Sequence, residues 1–333
     1  MVDARFLKAY KYLIWTTLAL IALGGGVRAM DAGLACPDWP LCFGAIIPDY
    51  HPQVYAEFLH RALAGLVAIA TVSLNWFLIR SPKVSKGLKA LCWFSLVLLM
   101  AQVVMGGLTV LLQLQAKIVT THLALGTGFL ATLLWIYFSV RPQGSTQERQ
   151  TFAPSQGLKI MSLVALAAVY GQILLGGLVA SNYAAHVCPS FPLCHGQWVP
   201  TLQGAIGLQV IHRLGAYTLT LIILALLVWV WRELRDKEDP LSREFKAWSR
   251  WLLVALLVQM GIGIANVLLF TPPLITVLHL TFGAVLLGLA LRMVYMSWVT
   301  AQRECLAAVR VPPSEKPQFA DSFPQSSPAK GSL

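Results

Sequence analysis

The chain has 333 residues, 57% of them hydrophobic and only 12% charged, with a formal net charge of +11. Soluble globular domains carry about 25% charged residues, so a soluble fold is excluded. The nucleic-acid reading that a basic chain invites falls with it, because the lysines and arginines stand between long apolar runs, not on one face of a polar domain.

Eight apolar stretches are long enough to cross a hydrocarbon layer of about 30 Å. They run approximately over 12–30, 57–79, 90–112, 118–140, 158–180, 205–231, 249–270 and 274–298. Surrounded by lipid, each must satisfy its own backbone polar groups, so each is predicted to be a helix. The first lacks a small-residue cleavage site and reads as a retained span.

The basic residues alternate in place. Arg5, Lys8 and Lys11 precede the first span; Arg80, Lys83, Lys86 and Lys89 follow the second; Arg141, Arg149 and Lys159 follow the fourth. The segment "WRELRDKEDPLSREFKAWSR" follows the sixth, whereas Arg28, Arg61, Lys117 and Arg213 stand on the other side. This bias predicts a multi-pass protein of the cytoplasmic membrane with both termini in the cytoplasm and the alternate connections outside. The polar, proline-rich end of the chain, 301–333, is predicted to be a disordered cytoplasmic tail.

The first outer connection reads "GLACPDWPLCFG", and "EFLHR" opens the next span; later the chain writes "HVCPSFPLCHG" and then "VIHRL". Gly25, Cys36, Cys42, His60 and Arg61 recur at Gly177, Cys188, Cys194, His212 and Arg213, and Gln102, Gly106 and His122 recur at Gln259, Gly263 and His279. The sequence therefore predicts two tandem four-helix bundles, 1–145 and 146–300, related by a pseudo-twofold axis along the membrane normal. The extra residues of the second copy fall in the basic connection between its second and third spans, where insertion costs little.

His60, His122, His212 and His279 lie toward the outer ends of the even spans. Ionisable groups in apolar spans are costly and mark function. Two histidines per bundle without a carboxylate cluster suit axial ligation of a haem. A di-iron site would need more carboxylates, and Glu57-x-x-His60 stands alone. Arg61 and Arg213, beside ligand histidines, could meet porphyrin propionates or simply reach headgroups. The pairs Cys36/Cys42 and Cys188/Cys194 read either as loop staples or as redox-active pairs. The copies differ at one chemical position: Glu57, one turn before His60, is matched by Gln209, which cannot ionise. Glu57 either moves protons beside a porphyrin or pairs with an arginine.

The opening "GGGVRAMDAGLACPDWPLCFG", Glu57 to Arg61, the second cysteine and His-Arg unit and the two later histidines together resemble the haem A synthases, over residues 10 to 298. The resemblance implies an oxidoreductase that turns the C8 methyl group of haem O into a formyl group by successive hydroxylations, giving haem A for terminal oxidases. It implies substrate haem O between His60 and His122 with Glu57 as catalytic carboxylate, and a haem b cofactor between His212 and His279. It implies haem transfer or redox work for Cys36 and Cys42, and delivery of haem O by the farnesyltransferase that makes it. Electron acceptor and homo-oligomer formation stay open. A di-haem carrier would place its haems across both leaflets, and a transporter would break its helices near mid-membrane; neither pattern is written here.

Overall fold

A computed structural model describes residues 4–141 and 153–309, with side chains as far as Trp298. The described residues form α1 (Ala4–Ala29), α2 (Pro52–Arg80), α3 (Lys86–Leu111), α4 (Ala116–Val140), α5 (Gln156–Ser181), α6 (Gly204–Leu234), α7 (Pro240–Leu268) and α8 (Pro273–Val309). All eight contain a window long and apolar enough to span a membrane, and the protein is multi-pass. Each predicted span lies within one helix to within a residue or two. The backbone of α8 runs on to Val309, into the segment expected to be tail. Residues 310–333, Arg149 and the boundary expected at 145/146 lie outside the described residues.

Helices α3, α5 and α7 start at the basic end of the molecule with side-chain caps. Ser85 accepts from the Leu88 amide, Ser155 from Leu158 and Asp239 from Ser242, which satisfies amides that have no partner within the helix.

The repeat is written in the backbone as well as in the residues. Non-glycine residues at positive φ are uncommon because Cβ crowds the backbone there. Asp31, Phe43, Gln113 and Leu114 adopt it, and so do Tyr183, His195, Phe270 and Thr271, their counterparts in the second copy. Gly44 and Gly196 share it, and the cis bonds Trp39–Pro40 and Phe191–Pro192 stand at matched places. The five extra residues of the second copy do not lengthen a loop. Helix α6 has 31 residues against 29 in α2, and α7 has 29 against 26 in α3. Extending helices keeps every added amide hydrogen-bonded, which a longer loop would not.

In the first half α1 packs on α2 and α4, and α3 on the same two; in the second half α5 packs on α6 and α8, and α7 on the same two. Between halves α1 meets α8, α4 meets α5, and α4 meets α8. The cores lie toward the basic end. One is built around Tyr10, Leu78, Leu133 and Ile136, the other around Phe245, Ile223, Leu226 and Leu252. The opposite ends of the bundles hold the histidines.

Candidate functional site

His60, His122, His212 and His279 each lie within the first three turns of α2, α4, α6 and α8, and each ring rests on a glycine of the preceding helix. A Cβ on Gly24 would stand 2.8 Å from Cε1 of His60, and on Gly263 2.8 Å from Cε1 of His279. The same construction gives 3.2 Å for Gly106 with His122 and 3.2 Å for Gly176 with His212. Carbon atoms in contact sit ~3.5–4.0 Å apart, so a side chain at Gly24 or Gly263 would force ring or helix to shift, and one at Gly106 or Gly176 would ask the ring to give by a few tenths of an ångström.

His212 and His279 face each other across the second bundle, with ring centroids 6.4 Å apart and planes at 84°. A metal centre held by one nitrogen of each ring at ~2.0 Å needs centroids about 6.2 Å apart, given that a ring nitrogen lies roughly 1.1 Å from its centroid. The residues therefore fit a group that takes two axial imidazoles. Among the described residues, no three His, Cys, Asp or Glu side chains converge, so a metal between His212 and His279 would take its other ligands from its guest.

The rings are held unequally. Gln259 Nε2 donates to the His279 carbonyl (2.9 Å) and lies 3.2 Å from its Nδ1. Gln172 Nε2 does the same for His212, at 2.7 and 3.1 Å. In the first half Gln102 lies 3.3 Å from Nε2 of His122, and Nδ1 of both His60 and His122 is buried without a partner.

Glu57 is buried, and its Oε1 receives the Nε of Arg61 at 2.8 Å. The remaining Arg61 donors go to the cysteine loop: Nη1 to the carbonyls of Asp38 and Leu41, both at 2.7 Å, and Nη2 to that of Cys36 at 3.3 Å. Arg213 repeats the grip on the carbonyls of Leu193 and Cys188, at 3.2 and 2.7 Å. Its Nε, however, is buried without a partner, as is Oε1 of Gln209. The exchange of glutamate for glutamine thus removes an ion pair as well as a titratable group.

Both cysteine pairs are bonded, Cys36–Cys42 at 2.01 Å and Cys188–Cys194 at 2.00 Å, and all four residues are buried. The first loop is tied further by Asp38, whose carboxylate accepts from the amides of Phe43 (2.6 Å) and Gly44 (2.8 Å). These bonds, the one from Gly44 foremost, hold its pKa below the usual carboxylate value. Ser190 takes that place in the second loop and donates to the Leu193 carbonyl instead. Trp39, from the loop tip, lies over Gly107 of α3.

Arg28 and Asp31 do not join the pocket of Glu57. They pair at 3.0 Å, and Arg28 crosses between halves to the Ala180 carbonyl (2.9 Å) and the Tyr183 ring. With Gly33, Leu34 and Leu114 they line an outer cleft of about 250 Å³. In the outer loops, His186 meets Thr271, and His195 bonds the Val187 carbonyl.

Sequence reasoning passed over Gln172, Gly24 and Gly215. Gln172 carried a signal, an amide alone in the apolar run "VYGQILLGG", but it has no counterpart in the first copy. The glycines are told apart from ordinary small packing residues only by what lies opposite them.

The chain is similar in sequence to known proteins. The sequence model of a family described as cytochrome oxidase assembly protein, COX15-CtaA, matches residues 10–291. A heme A synthase of Shewanella oneidensis is 30% identical over 327 residues, covering 85% of this chain and 93% of that protein. Heme A synthases of Shouchella clausii (28% over 262 residues, 77% and 85% covered) and Halalkalibacterium halodurans (25% over 287 residues, 85% and 94% covered) are also similar. Eight apolar helices, four histidines at repeated positions and a match across most of the sequence lead to one conclusion: the chain belongs to the COX15-CtaA family of cytochrome oxidase assembly proteins.

Proposed function

We propose that this protein is a haem A synthase, a membrane oxidoreductase that converts the C8 methyl group of haem O to a formyl group. The names of its relatives support the activity. The observation that carries the assignment of roles is the contrast between Glu57, buried and paired with Arg61, and Gln209 at the matched place.

In this reading residues 1–145 bind haem O between His60 and His122, and residues 146–300 keep haem b between His212 and His279. The 6.4 Å separation of the second pair supports two-imidazole ligation there. Space supports the division as well. Beside Gly65 on α2 there is nothing within 4 Å, whereas the matched residue of α6 is Tyr217, with its hydroxyl buried. The half with more room suits the farnesylated substrate. When bound, haem b supplies reversible one-electron chemistry.

The chain's own residues do the rest. His60 and His122, seated on Gly24 and Gly106, orient the substrate plane. Glu57 is the acid–base group at the methyl to be oxidised, and Arg61 fixes its rotamer by taking Oε1, which leaves Oε2 to exchange a proton. Arg61 and Arg213 stand at the rim toward the propionates, Arg213 with an Nε to spare. The bonded cysteine loops close each bundle from outside. Both termini face the cytoplasm, the basic connections lie on that side, and the halves are related by a twofold axis along the membrane normal. That axis would exchange the α1–α8 and α4–α5 contacts. Haem O synthase is the donor of substrate.

The test is pigment extraction from cells that make haem O, with and without this protein. A haem A peak that depends on it is expected; haem O alone would exclude the enzyme.

A further inference from the structure

If the two halves do different work, one guest must stay and the other must leave. The hydrogen bonds behind the imidazoles differ accordingly. Gln172 on α5 reaches both Nδ1 and the carbonyl of His212. It can do so because Gly215 leaves a notch: a Cβ there would lie 2.3 Å from Gln172 Oε1. At the matched positions of the first half stand Leu20 and Leu63. The Leu20 carbonyl lies near the His60 ring, but Nδ1 of His60 is sealed without a hydrogen-bond partner.

The nitrogen opposite the metal is where a protein controls an imidazole ligand. A hydrogen bond there fixes the ring and its tautomer, and losing it typically costs 10–100-fold in affinity. With a metal on Nε2, a neutral His212 carries its proton on Nδ1, and Gln172 serves it through Oε1, which a half-turn of the amide brings to Nδ1.

We propose that Gln172, seated in the Gly215 notch, is the positioning residue that makes the second porphyrin resident, and that Leu20 and Leu63 leave His60 without a side-chain hydrogen bond at Nδ1 so that the first exchanges. This rests on the division of roles proposed above.

The test uses the full chain, purified in detergent with its bound haem, and follows haem transfer to excess apomyoglobin. Gln172→Leu is expected to release haem b about 10–100-fold faster than wild type. Gln172→Glu, which keeps an acceptor at Nδ1, is expected to restore slow release and lower the midpoint potential. His212→Ala serves as the reference, expected to lack that haem altogether.

If His212→Ala keeps its haem, the assignment of the second half is wrong and the inference falls with it. If His212→Ala is empty while Gln172→Leu releases haem at the wild-type rate with an unchanged low-spin spectrum, the inference alone is overturned. Should Gln172→Leu not fold, the reciprocal variant decides. In Leu20→Gln/Leu63→Gly combined with His212→Ala and loaded with hemin, slower release than from His212→Ala alone supports the proposal, and equal release overturns it.

Discussion

Replacing Gly263 with alanine tests whether the glycine seats set the ligand geometry. The new methyl would stand 2.8 Å from Cε1 of His279. Carbon contacts relax at ~3.5 Å or more, so ring and helix must part by about 0.7 Å. The ring has little room to retreat, because Gln259 holds His279 at its Nδ1 and its carbonyl. Metal–ligand distances tolerate about 0.2 Å, so the required shift is several times what coordination across the 6.4 Å gap to His212 can absorb. Haem affinity of the second half should fall by at least ~10-fold.

The matched control is Gly261→Ala, two residues away on α7, where a Cβ has nothing within 4 Å. It gains the ~1 kcal/mol of helix propensity that alanine has over glycine without touching the ring. The assay is the haem-to-protein ratio of the purified protein together with the reduced-minus-oxidised spectrum. Equal ratios and identical low-spin spectra in the two variants would refute the claim that Gly263 positions His279.

Three further outcomes follow from the same geometry. Glu57→Gln should leave the haem of the second half in place while haem A yield falls by roughly 10²–10⁴-fold, the range for loss of a general acid–base; normal yield in extracted pigment would remove Glu57 from the chemistry. Arg61→Ala leaves the buried Glu57 carboxylate without its partner, a loss of ~3–5 kcal/mol, whereas Arg213→Ala loses hydrogen bonds to loop carbonyls and strands no charge, so thermal unfolding in detergent should rank Arg61→Ala as clearly the less stable. Asp38 has a lowered pKa in the folded loop, so its contribution is present above the unfolded carboxylate pKa of about 3.9 and is lost as pH falls through the folded value. Exchange protection of residues 38–45, referenced to the Ser190 loop, should drop on strong acidification, and Asp38→Asn should abolish that dependence.

What could be read from the chain was what a local rule records. Span length and apolarity located every helix, and paired spacings found His60, His122, His212 and His279 together with both cysteine pairs. What escaped depends on which helices meet. Nothing in the local sequence of Arg61 marks the loop carbonyls of Asp38, Leu41 and Cys36 that its guanidinium also holds. Gln172 has no twin, so a search by repetition passes it by, and Gly215 makes sense only with that amide opposite. The extra residues of the second copy looked like loop because insertions usually are; α6 and α7 took them instead, where each added residue keeps its helical hydrogen bond.

The placement of the aliphatic cores bears on turnover. Tyr10, Leu78, Leu133 and Ile136 on one side, and Phe245, Ile223, Leu226 and Leu252 on the other, tie the helices together far from the imidazoles. The scaffold is therefore anchored like a vase, by its base, while the mouth carries the cargo. On the proposed reading, a pigment departs from the mouth while both of these cores stay packed.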